Sequence, residues 1–254
     1  MIYVKTDIVP NEKKRVFIVH GICEHSGRYD YFTKRLNDAN ISVIRYDLKG
    51  HGKSGGKRGY IKSFYEHIDD LRSVINNHLN KNVKNVLFGH SMGGLIGHLY
   101  MVSNPNVDYY IASGAPTFYL KDVKPLRILG YKWLGWIKVA NQFNGKLSRN
   151  PKVEENYVTD SLNLKKYYIR LAGEMFLSGV KYLNKNLYKH EAPTLILHGA
   201  EDKIVPKEMS IRMHEYISSQ DKTIKLYEGA YHEILNEINK DEVIDDIIGW
   251  LNER

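Results

Sequence analysis

The amino-acid sequence predicts an α/β fold: a mostly parallel central sheet, helices on both of its faces and a helical segment inserted into it. Three observations carry that expectation. Short apolar runs alternate with stretches of helical periodicity over most of the chain. Several of these runs are almost continuously apolar, as strands covered on both faces are. The alternation lapses between residues 116 and 190, where no strand is expected, and resumes at 194. Open sheets of this kind bind their ligands at the carboxyl ends of the strands.

The elements follow in order. Residues 16–19 form a β-branched and apolar run that ends at His20-Gly21. Residues 42–46 end at Asp47 and a glycine-rich loop, and 85–88 end at Gly89. The run 109–112 precedes Ser113-Gly114-Ala115, 194–197 ends at His198-Gly199, and 223–227 ends at Glu228-Gly229. Helical patterns separate them at 29–40, 64–79, 95–104, 208–218 and 241–251. Residues 1–115 and 191–254 are therefore assigned to one core, with 116–190 a cap inserted between two of its strands. Within the cap, 125–143 carries apolar residues at 126, 129, 133, 136, 137, 140 and 143, which is helical spacing.

Composition narrows the class. A chain of 254 residues with 43% hydrophobic content buries one large core. Its single cysteine, Cys23, excludes an intrachain disulfide. No apolar stretch reaches the roughly 20 residues of a membrane span, and residues 1–7 lack the features of a signal peptide. A cytoplasmic protein is expected. The formal charge of +8 is concentrated in one place: 116–190 holds 14 Lys and Arg against 5 Asp and Glu, so the rest of the chain is close to neutral. Such a segment is either a solvated face or a surface for anionic lipid headgroups or substrates. No nucleic-acid-binding motif accompanies it. A basic segment bearing Trp133 and Trp136 fits a membrane interface, or else its apolar side covers the protein's own site.

The chemistry is concentrated at Gly89-His90-Ser91-Met92-Gly93-Gly94, which lies between a strand and a helix. A strand, sharp turn and helix with serine at the turn is the context of the G-x-S-x-G nucleophile elbow. The glycines spare a tight turn from collisions, and the Met92 N–H at the helix start is free to stabilise an oxyanion. A serine hydroxyl needs a base oriented by a carboxylate. Asp202 and His232 follow the 194–197 and 223–227 strands, in the order serine, acid, histidine. Glu201 is the rival acid. The Ile22 N–H, in the loop after the first core strand, is the second oxyanion donor by position. His20, His51, His90 and His198 lie in turns beside glycine or Ser91 and are assigned loop hydrogen bonds rather than base chemistry. No zinc-spaced cluster or P-loop is present, so no cofactor or metal is expected.

Several motifs then occur together in order. They are His20-Gly21 with 24–29 (Glu-His-Ser-Gly-Arg-Tyr), Asp47 with Gly50-His51-Gly52 and Ser54, the Gly-His-Ser-Met-Gly-Gly elbow, 148–150, 157–162, 219–223 and 227–232. This set resembles the monoacylglycerol lipase and lysophospholipase branch of the α/β-hydrolase superfamily over nearly the whole chain. The resemblance implies the α/β-hydrolase fold, a triad of Ser91, Asp202 and His232, and an oxyanion hole of Ile22 and Met92. It implies hydrolysis of a single-chain lipid ester, a monoacylglycerol or lysophospholipid, through an acyl-enzyme on Ser91. Leu126, Leu129, Trp133 and Trp136 of the cap are expected along the acyl route. The alternatives are a carboxylesterase acting on short soluble esters, a peptidase, and a silent lipid-binding protein on the same scaffold. One position departs from the pattern, because members of the branch usually carry glycine where this chain has Cys23. Its thiol is a candidate for inhibitory modification.

Overall fold

The computed structural model describes residues 1–120, 126 and 130–254. Seven strands form the main sheet: β1 (Val4–Asp7), β2 (Lys14–Val19), β3 (Ile41–Tyr46), β4 (Lys84–His90), β5 (Tyr109–Ser113), β8 (Thr194–Gly199) and β9 (Lys222–Tyr227). Their spatial order is β1-β3-β2-β4-β5-β8-β9. All neighbours are parallel except β1 against β3. β1 escapes the sequence pattern because it is a four-residue edge strand with Lys5 and Thr6 exposed.

Both faces of the sheet are buried, which explains the unbroken apolar runs. Along β2, Val16 and Ile18 join one cluster while Phe17 and Val19 join the other. The first cluster takes Phe32 and Leu36 of α1 (Asp30–Asp38) and Val243, Ile244 and Ile247 of α8 (Lys240–Asn252). The second takes Leu71 and Ile75 of α2 (Tyr65–His78), Leu95 and Leu99 of α3 (Met92–Met101) and Met213 of α7 (Glu208–Tyr216). In α1, α2, α3 and α8 these residues lie three or four apart, the spacing of one helical face. With β2, β4, β5, β8 and β9 running the same way, the loops carrying residues 20–25, 91, 202 and 232 meet at one sheet edge.

The segment between β5 and β8 differs from expectation in two respects. It contains a two-stranded antiparallel ribbon, β6 (Lys138–Ala140) with β7 (Lys166–Tyr168). Three-residue strands are too short for an alternating pattern to stand out. Among the described residues of the 125–143 stretch, Leu126 is helical but 130–136 form turns and bends rather than a helix. Gly130 sits at φ +78°, a left-handed conformation that cannot continue a right-handed helix. The rest is helical. α4 (Pro151–Thr159) is capped by the Asn150 side chain, which accepts from Lys152 N, with proline in its first turn. α5 (Ile169–Gly173) runs through a π-helical turn, Glu174–Gly179, into α6 (Val180–Asn186). No helix among the described residues is long and apolar enough to cross a membrane.

Candidate active site

Ser91 lies between the end of β4 and the start of α3 with φ +52° and ψ −121°, a backbone conformation a non-glycine residue adopts only when its surroundings force it. The forcing groups are identifiable. A Cβ on Gly89 would strike the Gly93 carbonyl, and a Cβ on Gly93 would strike the Val19 carbonyl, so neither glycine is replaceable. The Ser91 N–H is tied to the Ser113 carbonyl at the end of β5, 2.8 Å away. The elbow therefore presents the serine at the floor of a cavity of about 130 Å³.

Asp202 and His232 meet across the β8 and β9 loops. His232 Nδ1 lies 2.6 Å from Asp202 Oδ2. A carboxylate accepts, so Nδ1 carries the proton and Nε2 is left with its lone pair. Three further donors fix the Asp202 carboxylate. The Ile204 and Val205 N–H groups reach Oδ1 at 2.8 and 2.9 Å, and His198 Nε2 lies 3.1 Å from Oδ2. His198 itself is locked, with Nε2 2.9 Å from the Val205 carbonyl and Nδ1 2.7 Å from Ser210 Oγ. Glu201, the rival acid, is exposed. Burial alone would raise the Asp202 pKa. The facing charge of His232 and the donated hydrogen bonds outweigh it and hold the carboxyl well below the usual carboxylate range. For His232, burial pulls the pKa down, while the charge of Asp202 and then those of Glu233 and Glu24 raise it above that of an ordinary histidine. Ser91 and His232 line the same cavity. Among the described residues Ser91 Oγ has no hydrogen-bond partner, and nucleophile–base contacts of empty sites commonly tighten only with substrate.

The loop after β2 supplies the facing wall. Ile22 lines the cavity beside Ser91. Met92 opens α3, so its N–H belongs to the unpaired first turn at the positive end of the helix. Next to Ile22, Cys23 is held at φ +65°, which explains why glycine suits this position. Its thiol is fully buried, and burial pushes its pKa up. Such a thiol is a packing group rather than a reactive one, so modification at Cys23 is not supported.

Two carboxylates on the cavity wall, Glu24 and Glu233, went unassigned in the sequence reading. Both are paired with Arg28, whose Nε is 3.2 Å from Glu24 Oε2 and whose other nitrogen bonds Glu233. Tyr29 OH donates to Glu24 and Asn236 Nδ2 to Glu233, at 2.8 and 2.9 Å. The remaining lining is mostly apolar and comes from Leu120, Phe143, Leu147, Ala172, Phe176 and Val205, among others, with His90, Tyr157 and Tyr167 beside them. Three of the four cap residues expected there are placed elsewhere. Trp133 and Trp136 are 86% and 74% exposed and do not line this cavity. Leu126 packs against the core from the side of a neighbouring groove, and Leu129 lies outside the described residues. The turns at 130–136 stand where a helix would have directed Trp133 and Trp136 inward. Among the described residues no three His, Cys, Asp or Glu side chains converge as a metal site.

The Hydrolase_4 family, described as serine aminopeptidase, S33, matches residues 10–239. The chain belongs to this family, within the α/β-hydrolase superfamily. A monoacylglycerol lipase of Mycolicibacterium smegmatis is 30% identical to this Hydrolase_4 member over 93% of the chain and 87% of its own length. Phospholipase YtpA of Bacillus subtilis is 30% identical over 90% of the chain and 91% of its own length. The crystal structure of the Paleococcus ferrophilus monoacylglycerol lipase superposes with a TM-score of 0.89 at 33% identity, covering 99% of this chain and 98% of that one. The α/β-hydrolase fold expected from the sequence is the fold observed.

Proposed function

We propose that this chain is a serine hydrolase that cleaves the carboxylic ester of a single-chain lipid, a monoacylglycerol or a lysophospholipid, with Ser91, His232 and Asp202 as its triad. The observation that carries the reading is the Nδ1–H of His232 bound to a buried Asp202 at 2.6 Å, at the edge of the cavity whose floor is Ser91. In that tautomer Nε2 takes the Ser91 proton as Oγ attacks the ester carbonyl. The Ile22 and Met92 N–H groups receive the negative oxygen of the tetrahedral intermediate. His232 then protonates the leaving alcohol, and an ester to Ser91 is left behind. Water, deprotonated by His232, attacks that ester and releases the fatty acid.

The apolar lining suits an acyl chain better than a peptide. A peptidase reading draws on the family description, and Glu24 and Glu233 are the carboxylates that would have to grip a free amine. Both are already engaged by Arg28, which favours an ester over a free amine as the group bound there. The names of the two 30%-identical relatives support the same substrate class. Trp133 and Trp136, exposed and flanked by Lys132 and Lys138, suit peripheral contact with an anionic bilayer. Comparing vesicle binding of the wild type with that of a Trp133→Ala, Trp136→Ala double variant tests this contact, and equal binding speaks against it.

Fatty-acid release from monoacylglycerol and from lysophosphatidylcholine of matched chain length, with Ser91→Ala as the blank, tests the substrate class. Release from either ester that disappears in the variant supports the reading. Release only from short soluble esters replaces it with a general carboxylesterase.

A further inference from the structure

We propose that the groove beside the catalytic cavity is a site for a long-chain fatty acid anion, with the chain on its apolar wall and the carboxylate on Lys146 and Lys203. The inference goes beyond the serine hydrolase reading and rests on it only for the source of the acid.

The catalytic cavity, at about 130 Å³, is smaller than the roughly 300–1,000 Å³ of sites that enclose small molecules. A groove of about 570 Å³ adjoins it. Phe143, Tyr167, Ala172 and Ile204 line both spaces, so the two are continuous. An acyl chain esterified at Ser91 and too long for the cavity runs out along this groove. The β6–β7 ribbon builds one wall of it. Val139 and Tyr167 are cross-strand partners and share the face turned to the groove, while Lys138 and Tyr168 share the other.

Two cations stand at this apolar wall. Lys146 closes a turn, its N–H 3.0 Å from the Phe143 carbonyl, and Lys203 directly follows Asp202. The Lys203 ammonium lies 3.8 Å from the centre of the Tyr231 ring, a cation–π contact that holds it beside the His232 loop. Among the described residues neither lysine has a carboxylate within ion-pair distance, and no Asp or Glu lines the groove. The catalytic end has the opposite balance. Glu24, Glu233 and Asp202 gather there, and Arg28 pairs with the first two. A neutral ester is indifferent to this polarity. The acid freed by hydrolysis ionises at neutral pH. It therefore leaves negative surroundings for positive ones, moving in the direction along which its chain already lies.

Binding of laurate and of dodecanol to the full-length protein, measured by calorimetry below their aggregation concentrations, tests the assignment without relying on turnover. The two ligands share a chain and differ in charge. Both lysines are exposed, so each ion pair is screened and worth at most about fivefold in affinity. The Lys146→Met, Lys203→Met double variant keeps most of each apolar stem and removes both charges. Its affinity for laurate is expected to fall about 10-fold, while its affinity for dodecanol and its KM for a neutral monoacylglycerol stay within about twofold. An equal fall for laurate and dodecanol reduces the lysines to packing groups and overturns the proposal. Unchanged laurate affinity in the variant, or no laurate binding to the wild type, overturns it as well. The serine hydrolase reading is decided separately, by ester hydrolysis that is lost in Ser91→Ala. A protein that hydrolyses esters and binds no laurate refutes this site alone, and one that binds laurate through the lysines and hydrolyses no ester refutes that reading alone.

Discussion

His198 and His232 share one carboxylate oxygen: Asp202 Oδ2 lies 3.1 Å from His198 Nε2 and 2.6 Å from His232 Nδ1. With the two backbone donors on Oδ1, the acid of the site is anchored on every side before any substrate arrives. His198 is thus part of how His232 is aimed.

Asp202→Asn presents an amide to His232 Nδ1 and can favour the tautomer that places the proton on Nε2, where the base is needed. A kcat loss of about 10³–10⁴-fold is expected. His198→Ala removes one donor and leaves the other three, so a loss nearer tenfold is expected. Steady-state kinetics of both variants check the order, and a His198→Ala enzyme as damaged as Asp202→Asn contradicts it.

The activity should rise with pH as His232 gives up its proton. Because Asp202, Glu233 and Glu24 raise the pKa of His232, the midpoint of kcat/KM should lie above the ordinary histidine value of about 6.5. Glu233→Gln removes one of these negative charges and should move the midpoint to lower pH. A pH–rate profile decides this, and an unmoved or raised midpoint is the adverse result.

Cys23 tests the backbone strain beside Ile22. At φ +65° a β-branched side chain is far more strained than cysteine, whereas glycine is unstrained. Cys23→Val should cost about 2 kcal/mol or more, while Cys23→Gly stays within about 1 kcal/mol, since relief of strain offsets lost packing. Denaturant unfolding measures both. The buried thiol should also resist iodoacetamide until the protein unfolds.

The cap makes a separable prediction. Trp133→Ala and Trp136→Ala should leave kcat/KM for a short water-soluble ester unchanged, because neither side chain lines the cavity. Leu147→Trp, which places bulk on the cavity wall, should depress long-chain esters more than short ones. Rates measured over a series of acyl lengths check both expectations.

The core was legible because its signals are local. Each strand is a short apolar run, and the residues proposed for the triad sit just beyond the ends of β4, β8 and β9, where glycines mark the turns. The cap was not legible. Apolar spacing at 126, 129, 133 and 136 reads as a helix, yet the left-handed Gly130 and the turns after it leave both tryptophans facing solvent. The actual lining is gathered from Leu120, Phe143, Leu147, Phe176 and Val205, which no single periodic stretch connects. His198 and Glu24 are hidden for a related reason. A histidine beside a glycine, or a glutamate within a loop, looks like any loop residue until its partner, Asp202 or the Gly21 peptide, is placed in space.

The most direct test of the central claim is mass spectrometry of the enzyme quenched within milliseconds of mixing with a long-chain monoacylglycerol. The account predicts a peptide containing Ser91 heavier by one acyl group, transient in the wild type and absent from Ser91→Ala. Ester hydrolysis that continues in Ser91→Ala, or an acyl group found on another residue, would contradict it.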